Sequence, residues 1–309
     1  MAGIRSQTFQ DFEVIVLDDG STDGTREWLL REFGEPSLPT PSPSDSASAA
    51  ASAKGAERGG FRTVFNENNL GTYATLNVGL ELATGDFIAI LNDDDLWAAT
   101  KLERQLELFD NNPKVGLVHT DGEFINGEGK KIEGSPLGFE FPRTETGDVL
   151  LALLYANKII ASAALVRSEC FDVLGGFNEK YFGSGDWEMW YRIAEKFEIG
   201  YVAEPLTFYR VHGANASHKL DRIWKDDQML REWISSRASS YVERFPDADI
   251  RRAESHNWAC LGTVRTLNND PKGGRAAYRK SLEIEPGRWK SRLRLLATRL
   301  PRSLFRRLL

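Results

Sequence analysis

The sequence predicts an α/β fold, a mostly parallel sheet flanked by helices, followed by a helical C-terminal region. Three observations carry this. Apolar runs of strand length at Glu13–Leu17, Phe61–Phe65, Phe87–Leu91 and Val115–His119 alternate with stretches of helical spacing, and such alternation builds parallel sheets through crossover helices. Two of the runs end directly in carboxylates, Leu17-Asp18-Asp19 and Leu91-Asn92-Asp93-Asp94-Asp95, at the rim where sheets of this kind bind ligands. After His212 the composition shifts to helix formers and charge.

Taken in order, Phe12 to Thr25 reads as a buried strand, a tight acidic turn and the start of a helix. Asp18-Asp19-Gly20-Ser21 is either a ligand-binding turn or only the turn and cap for that helix. Glu35 to Gly60 is rich in Pro, Ser and Ala. It holds too little apolar surface to offset its ordering entropy, so a disordered surface insertion is expected at about 35–60. The strand Phe87–Leu91 then runs into three consecutive carboxylates, with a helix expected from about Trp97. Like charges at a strand end repel one another, and a divalent cation carrying a diphosphate is the usual compensation. A helix cap by Asp95 is the plainer alternative. The expected domains are 1–217, carrying the sheet, and 218–309, helical.

Within the second domain, Trp258, Leu261, Gly262, Tyr278, Ser281 and Pro286 fall at the spacing of one tetratricopeptide-type repeat; one copy makes no solenoid, and an ordinary helical hairpin is the favoured description. From Gly287 to Leu309 the chain carries many Arg and Lys and no acid, with Trp289, Leu293, Leu296, Leu300, Leu304 and Leu308 at helical spacing and Pro301 interrupting them. Such a segment either lies on an anionic membrane surface or packs its leucines onto the preceding hairpin.

Composition narrows the function. The formal net charge of −6 argues against broad nucleic-acid binding, which needs a basic face. Cys170 and Cys260 are far apart, so a disulfide framework is not expected and a reducing cytoplasm fits. No run is long and apolar enough to span a bilayer, and no apolar run follows Met1–Arg5 as in a signal peptide.

Between the two acidic turns stand Asn69-Leu70-Gly71, Asn77-Val78-Gly79 and Ala83-Thr84-Gly85-Asp86, and beyond them Gly185-Asp186-Trp187-Glu188-Met189-Trp190-Tyr191-Arg192 and Tyr209-Arg210-Val211-His212. Together with Asp18-Asp19-Gly20-Ser21-Thr22-Asp23-Gly24-Thr25 and Asn92-Asp93-Asp94-Asp95-Leu96-Trp97, this ordered set resembles the family 2 glycosyltransferases, GT-A-fold enzymes that use nucleotide-diphosphate sugars. The resemblance implies an inverting transfer of a sugar to an acceptor hydroxyl, in cell-surface polysaccharide or glycolipid synthesis, on a glycan or lipid-linked acceptor. It implies Mg²⁺ or Mn²⁺ as cofactor, with Asp94 as metal ligand and His212 as a further ligand or diphosphate contact. Asp93 is implied near the ribose and diphosphate, Asp19 and Asp18 at the nucleotide, and Asp186 as the general base. Asp186 before an amphipathic helix is otherwise a cap. The implied location is cytoplasmic, with peripheral contact at the inner membrane face through the tail.

Several positions depart from the family pattern. Asn92 replaces the usual first acid, and Gly185 replaces the usual Glu. The position near Thr75-Leu76-Asn77 lacks an Arg that members often place there, so a cationic phosphate contact is expected from elsewhere, such as Arg210. Members also open with a strand and a P-x-Y/F-N segment, and Ser6-Gln7-Thr8 resembles the end of the helix after it. The family's first strand is thus expected upstream of Met1; the alternative is a catalytically inactive scaffold. A nucleotidyltransferase, the remaining alternative, is expected to show a Gly-rich basic phosphate loop near its first strand.

Overall fold

The computed structural model describes residues 2–34, 60–213, 215 and 219–308. The expected disordered insertion at 35–60 lies, Gly60 apart, outside the described residues. The chain forms two compact units, Met1–Gly147 with Ile159–His212, and Asp148–Lys158 with Gly213–Leu309.

In the first unit, β1 (Val14–Asp18) follows a short helix, α1 (Ala2–Arg5), and leads to α2 (Thr25–Phe33). It pairs in parallel with β2 (Phe61–Phe65), Val14 opposite Phe61 and Asp18 opposite Phe65. The next helix, α3 (Thr72–Leu82), buries Leu82 and half-buries Val78 against Val64, Ile15 and Leu17. This is the crossover packing that alternating strands and helices predict.

The second sheet contains β3 (Phe87–Ala89), β4 (Leu96–Trp97), β5 (Val115–Ile125), β6 (Leu165–Arg167) and β7 (Glu198–Arg210), in the order β3-β6-β5-β7-β4. It is mixed, where the sequence suggested mostly parallel pairing. β5 and β7 run parallel, while β3–β6, β5–β6 and β4–β7 are antiparallel. The strand order explains this: β3 and β4 lie at opposite edges, β6 runs against both of its neighbours β3 and β5, and the two-residue β4 runs against β7. Alternation of strands and helices along a sequence does not fix the direction in which each strand enters the sheet.

Two boundaries also move. Leu96–Trp97 form strand, and the following helix, α4 (Lys101–Asn111), starts later than the expected Trp97. Asp95 therefore caps nothing. Strand β5 runs past the expected end at His119 because its polar residues are satisfied inside the sheet. His119 Nε2 lies 2.7 Å from Thr144 Oγ1, Thr120 Oγ1 2.8 Å from Thr207 Oγ1, and Arg143 donates to Asp121 at 2.8 Å. Gly122 permits the bulge in the β5–β7 pairing, since a Cβ there would meet the Thr207 carbonyl oxygen at 2.2 Å. The core of the sheet gathers Trp97, Leu102, Phe109, Val115, Val118, Leu165, Val202 and Leu206. From β6 to β7 the chain runs through α6 (Ser168–Leu174) and α7 (Gly185–Lys196), and Trp190 and Tyr191 of α7 are wholly buried.

The second unit is helical. Its first piece, α5 (Leu150–Tyr155), was read from sequence as part of the first domain. Its one face of Leu150, Leu153 and Leu154 is buried and packs on α9 (Asp247–Leu267), so the strip 148–158 clusters with the helices after His212. These include α8 (Leu220–Arg237), α10 (Pro271–Ile284), α11 (Trp289–Ala297) and α12 (Arg302–Arg306). α9 and α10 form the expected hairpin, with Ala259, Leu267 and Tyr278 in its core and Ser255 donating to the Ser281 carbonyl at 2.9 Å. Pro301 separates α11 from α12, as its missing N–H requires.

Candidate active site

The β4–β7 pairing assembles the acidic cluster. Leu96 sits opposite Phe208 in antiparallel register, so moving outward from the pair sets the strip before β4 beside the strip after Phe208. Arg210 N–H donates to Asp95 Oδ1 at 2.9 Å, Arg210 Nε donates to the Asp94 carbonyl at 2.7 Å, and His212 Nε2 lies 3.0 Å from Asp94 Oδ2. Residues more than a hundred positions apart thereby meet through one register. Asp93 is exposed, whereas Asp94 and His212 are half-buried.

Asp95 is the keystone of this turn. It accepts from Ser162 Oγ at 2.5 Å and from Asn92 Nδ2 at 3.4 Å, and the Asn92 N–H donates to Ser162 Oγ at 3.2 Å. Asn92, at the position of the family's first acid, thus donates a hydrogen bond that a carboxylate there would replace with repulsion. Burial pushes the Asp95 carboxyl up to about 6, aided by the neighbouring Asp94 charge and opposed by the Ser162 and Arg210 hydrogen bonds. Trp97 Nε1 donates to the Ser162 carbonyl at 2.7 Å, and Trp190 Nε1 of α7 donates to the Ile159 carbonyl at 3.1 Å. The segment 159–162 therefore ties the acidic turn to α7.

Arg210, considered from sequence as a phosphate contact, braces the acidic turn. Besides the Asp94 carbonyl, its guanidinium donates to the Asn126 and Gly127 carbonyls at 2.7 and 3.0 Å.

At the end of β1 the two carboxylates differ. Asp18 is buried, accepts from the Ser21 N–H at 3.3 Å and pairs with Arg26 at 3.4 Å. Arg26 also donates to the Asn66 carbonyl at 2.6 Å, so Asp18 fastens the turn to the end of β2. Asp19 is half-buried and accepts from Asn66 Nδ2 at 3.0 Å and from the Leu70 and Gly71 N–H groups at 2.8 and 2.9 Å. Burial acts to raise the Asp19 pKa, but the hydrogen bonds from Asn66, Leu70, Thr75 and Gly71 outweigh it and hold the carboxyl below its ordinary 3.8. The Asn69-Leu70-Gly71 motif is therefore the other half of the Asp19 turn, and Asn69 Nδ2 donates to the Asp19 carbonyl at 3.1 Å.

Asp186 lies in the first turn of α7, one residue inside the helix, with Ser184 at the cap position and no side-chain cap bond. It is half-buried, and its Oδ1 accepts from the Trp187 N–H at 2.7 Å. Gly185 has a steric cause: a Cβ there would lie 2.7 Å from Cε2 of Tyr73, a buried α3 ring stacked on Phe177 at 5.7 Å. Asn77 holds the same neighbourhood, donating to the Phe177 carbonyl at 2.9 Å and accepting from its N–H at 2.8 Å. Gly185→Ala is accordingly expected to cost about 1–3 kcal/mol, the range for overpacking a tight contact. Chemical denaturation of the two chains measures it, and an unchanged midpoint would show that Tyr73 moves aside freely.

Comparison with known proteins decides the family. The model of glycosyl transferase family 2 matches residues 1–36 and 41–167, just over half of the chain. The chain belongs to glycosyl transferase family 2. Among similar proteins, an uncharacterized glycosyltransferase of Nostoc sp. is 27% identical over 228 residues, 69% of this chain and 59% of the relative. One from Rickettsia conorii is 28% identical over 283 residues, 90% of this chain and 40% of the relative. The chain thus spans well under two thirds of the length of both. In fold it resembles Staphylococcus aureus TarS (TM-score 0.56, 16% identity, 93% of this chain and 46% of that one). It also resembles the mannosyltransferase PcManGT from Pyrobaculum calidifontis, solved with GDP-Man and Mn²⁺ (TM-score 0.52, 19% identity, 91% and 70%). The fold of this family 2 member is GT-A, with an added helical unit.

The structure joins Asp94 to His212 directly. It ties Asp19 and Asp186 to one helix, α3: Asn66 bridges Asp19 to Thr75 at 3.0 Å, and Tyr73 underlies Gly185. Asn66 was expected at this rim from sequence, whereas Ser162, Tyr73 and Arg26 were missed by sequence reading. A lone Ser or Tyr in an apolar stretch carries no pattern of its own, and only the tertiary pairing reveals its partner. Among the described residues no three His, Cys, Asp or Glu side chains group to hold a metal ion; Asp94 and His212 supply two donors.

Proposed function

We propose that this transferase is an inverting glycosyltransferase moving a sugar from a nucleotide-diphosphate donor to the hydroxyl of a glycan or lipid-linked acceptor. The observation that carries the reading is the Asp94–His212 contact of 3.0 Å beside the exposed Asp93. A carboxylate and an imidazole fit a divalent cation that takes its remaining ligands from diphosphate and water. Mg²⁺ or Mn²⁺ bound there supplies positive charge against the diphosphate.

In this reading Asp93 contacts the ribose and diphosphate. Asp19 meets the nucleotide by shaping the 68–71 loop as well as by its own carboxylate, while the buried Asp18 holds that turn in place. Asp186 accepts the acceptor hydroxyl proton as that oxygen bonds to the anomeric carbon and the bond to the diphosphate oxygen breaks. One displacement inverts the anomeric centre. In this reading the chain meets its nucleotide-sugar donor in the cytoplasm. No helix among the described residues is long and apolar enough to cross a membrane.

The test is turnover. A panel of nucleotide-diphosphate sugars, GDP-mannose included, is incubated with the chain and Mn²⁺ or Mg²⁺, and release of nucleoside diphosphate and the anomeric configuration of the sugar product are followed. Release from one donor with inverted configuration is expected. Retained configuration would remove the single displacement, and no release from any donor would favour the inactive scaffold.

A further inference from the structure

The segment after α10 presents a surface unlike the rest of the molecule. One face of α11 and α12 is anchored: Phe305 is fully buried in the cluster of Ala259, Leu267 and Tyr278, with Leu295 and Ala297 packed against it. Ser291 is buried with its hydroxyl 3.2 Å from that of Ser281. The other face is therefore held open by packing. It carries Trp289, Leu293, Leu296, Leu300, Leu304 and Leu308, between 42% and 62% exposed. Elsewhere among the described residues the large exposed apolar side chains are scattered. Single exposed leucines are ordinary, whereas a contiguous row marks an interaction surface.

Charge identifies the partner. From Gly287 to Leu309 there are eight Arg and Lys residues and no Asp or Glu, in a chain whose net charge is −6. Lys290, Arg292, Arg299, Arg306 and Arg307 are exposed beside the apolar row. A second copy of the same face would set five exposed cations against five. A nucleic acid would use the cations and leave the leucines without a role. We infer that this face docks on an anionic phospholipid bilayer, the leucines and Trp289 entering the acyl boundary and the basic side chains reaching the headgroups. Pro301 divides the row between two short helices, so the segment lies on the bilayer without spanning it. The inference stands independently of the catalytic reading.

The full chain is mixed with vesicles of phosphatidylcholine alone or with phosphatidylglycerol added, and floated on a density gradient. It is expected to float with the anionic vesicles only, and less as salt is raised. The combined variant Leu296→Ser, Leu300→Ser, Leu304→Ser and the combined variant Lys290→Gln, Arg299→Gln, Arg307→Gln should each lower the bound fraction on the order of 10-fold, with far-UV circular dichroism unchanged. Should either variant misfold, lipid and salt dependence of the unaltered chain still decide. Absence of flotation, flotation indifferent to lipid charge, or undiminished flotation of a folded leucine variant would overturn the proposal. So would a concentration-dependent dimer in sedimentation velocity that the leucine variant dissolves, which would assign the face to a second copy.

Discussion

Asp186→Asn is expected to lower sugar transfer by about 10² to 10⁴-fold while donor binding persists. The substitution is nearly isosteric and keeps an oxygen able to accept the Trp187 N–H, now bonded at 2.7 Å. What it removes is the capacity to take a proton and the negative charge at the start of α7. The charge contributes about 0.3–1 kcal/mol to the helix, too little to unfold a segment whose Trp190, Tyr191 and Ile193 are fully buried. The variant should therefore melt near the parent temperature, bind donor with unchanged affinity and fail in turnover. Near-normal turnover would reduce Asp186 to a helix-start residue and require another base.

Asp94→Ala is expected to remove metal-assisted donor binding, with affinity for a nucleoside diphosphate in Mn²⁺ falling by more than about 10²-fold, since even residues supporting a metal ligand cost 10–100-fold when lost. Its effect on the fold should be small. The Asp94–His212 pair is partly exposed, with side chains 25% and 35% accessible, and exposed pairs contribute about 0–1 kcal/mol. The bonds that shape the turn belong to Asp95 and to the Asp94 carbonyl, which alanine keeps. Calorimetry with and without Mn²⁺, beside a melting curve, separates these effects. Equal Mn²⁺-dependent binding in parent and variant would move the metal away from the acidic turn.

The fold class and the motifs were legible because each leaves a local signature: apolar runs of strand length, acids at strand ends, two Asn-x-Gly sequences, of which the first forms a loop and the second lies within α3. The acidic turn also shows where local signatures stop. Three adjacent carboxylates look alike in sequence, yet Asp93 is exposed, Asp94 meets His212 and Asp95 is buried against Ser162. That division follows from the β4–β7 register, which no local pattern encodes. Arg210 shows the same limit, since its three carbonyl partners come from two separate strips of chain that no local pattern brings together. Strand β5 outruns the apolar run Val115–His119 because its continuation, Thr120-Asp121-Gly122, is polar, and only partners on β7 and the 143–144 strip explain its burial. Gly185 is a departure whose reason is the Tyr73 ring, brought there from a different helix.

The account rests on a metal-dependent nucleotide site at Asp94 and His212, and calorimetric titration of GDP and UDP into the full chain tests it most directly. Saturable binding of one nucleoside diphosphate per chain in Mn²⁺ is expected, abolished by chelator and by Asp94→Ala, and weakened by His212→Ala. Binding of neither nucleotide in Mn²⁺ or Mg²⁺, or binding indifferent to chelator and to both substitutions, would contradict it.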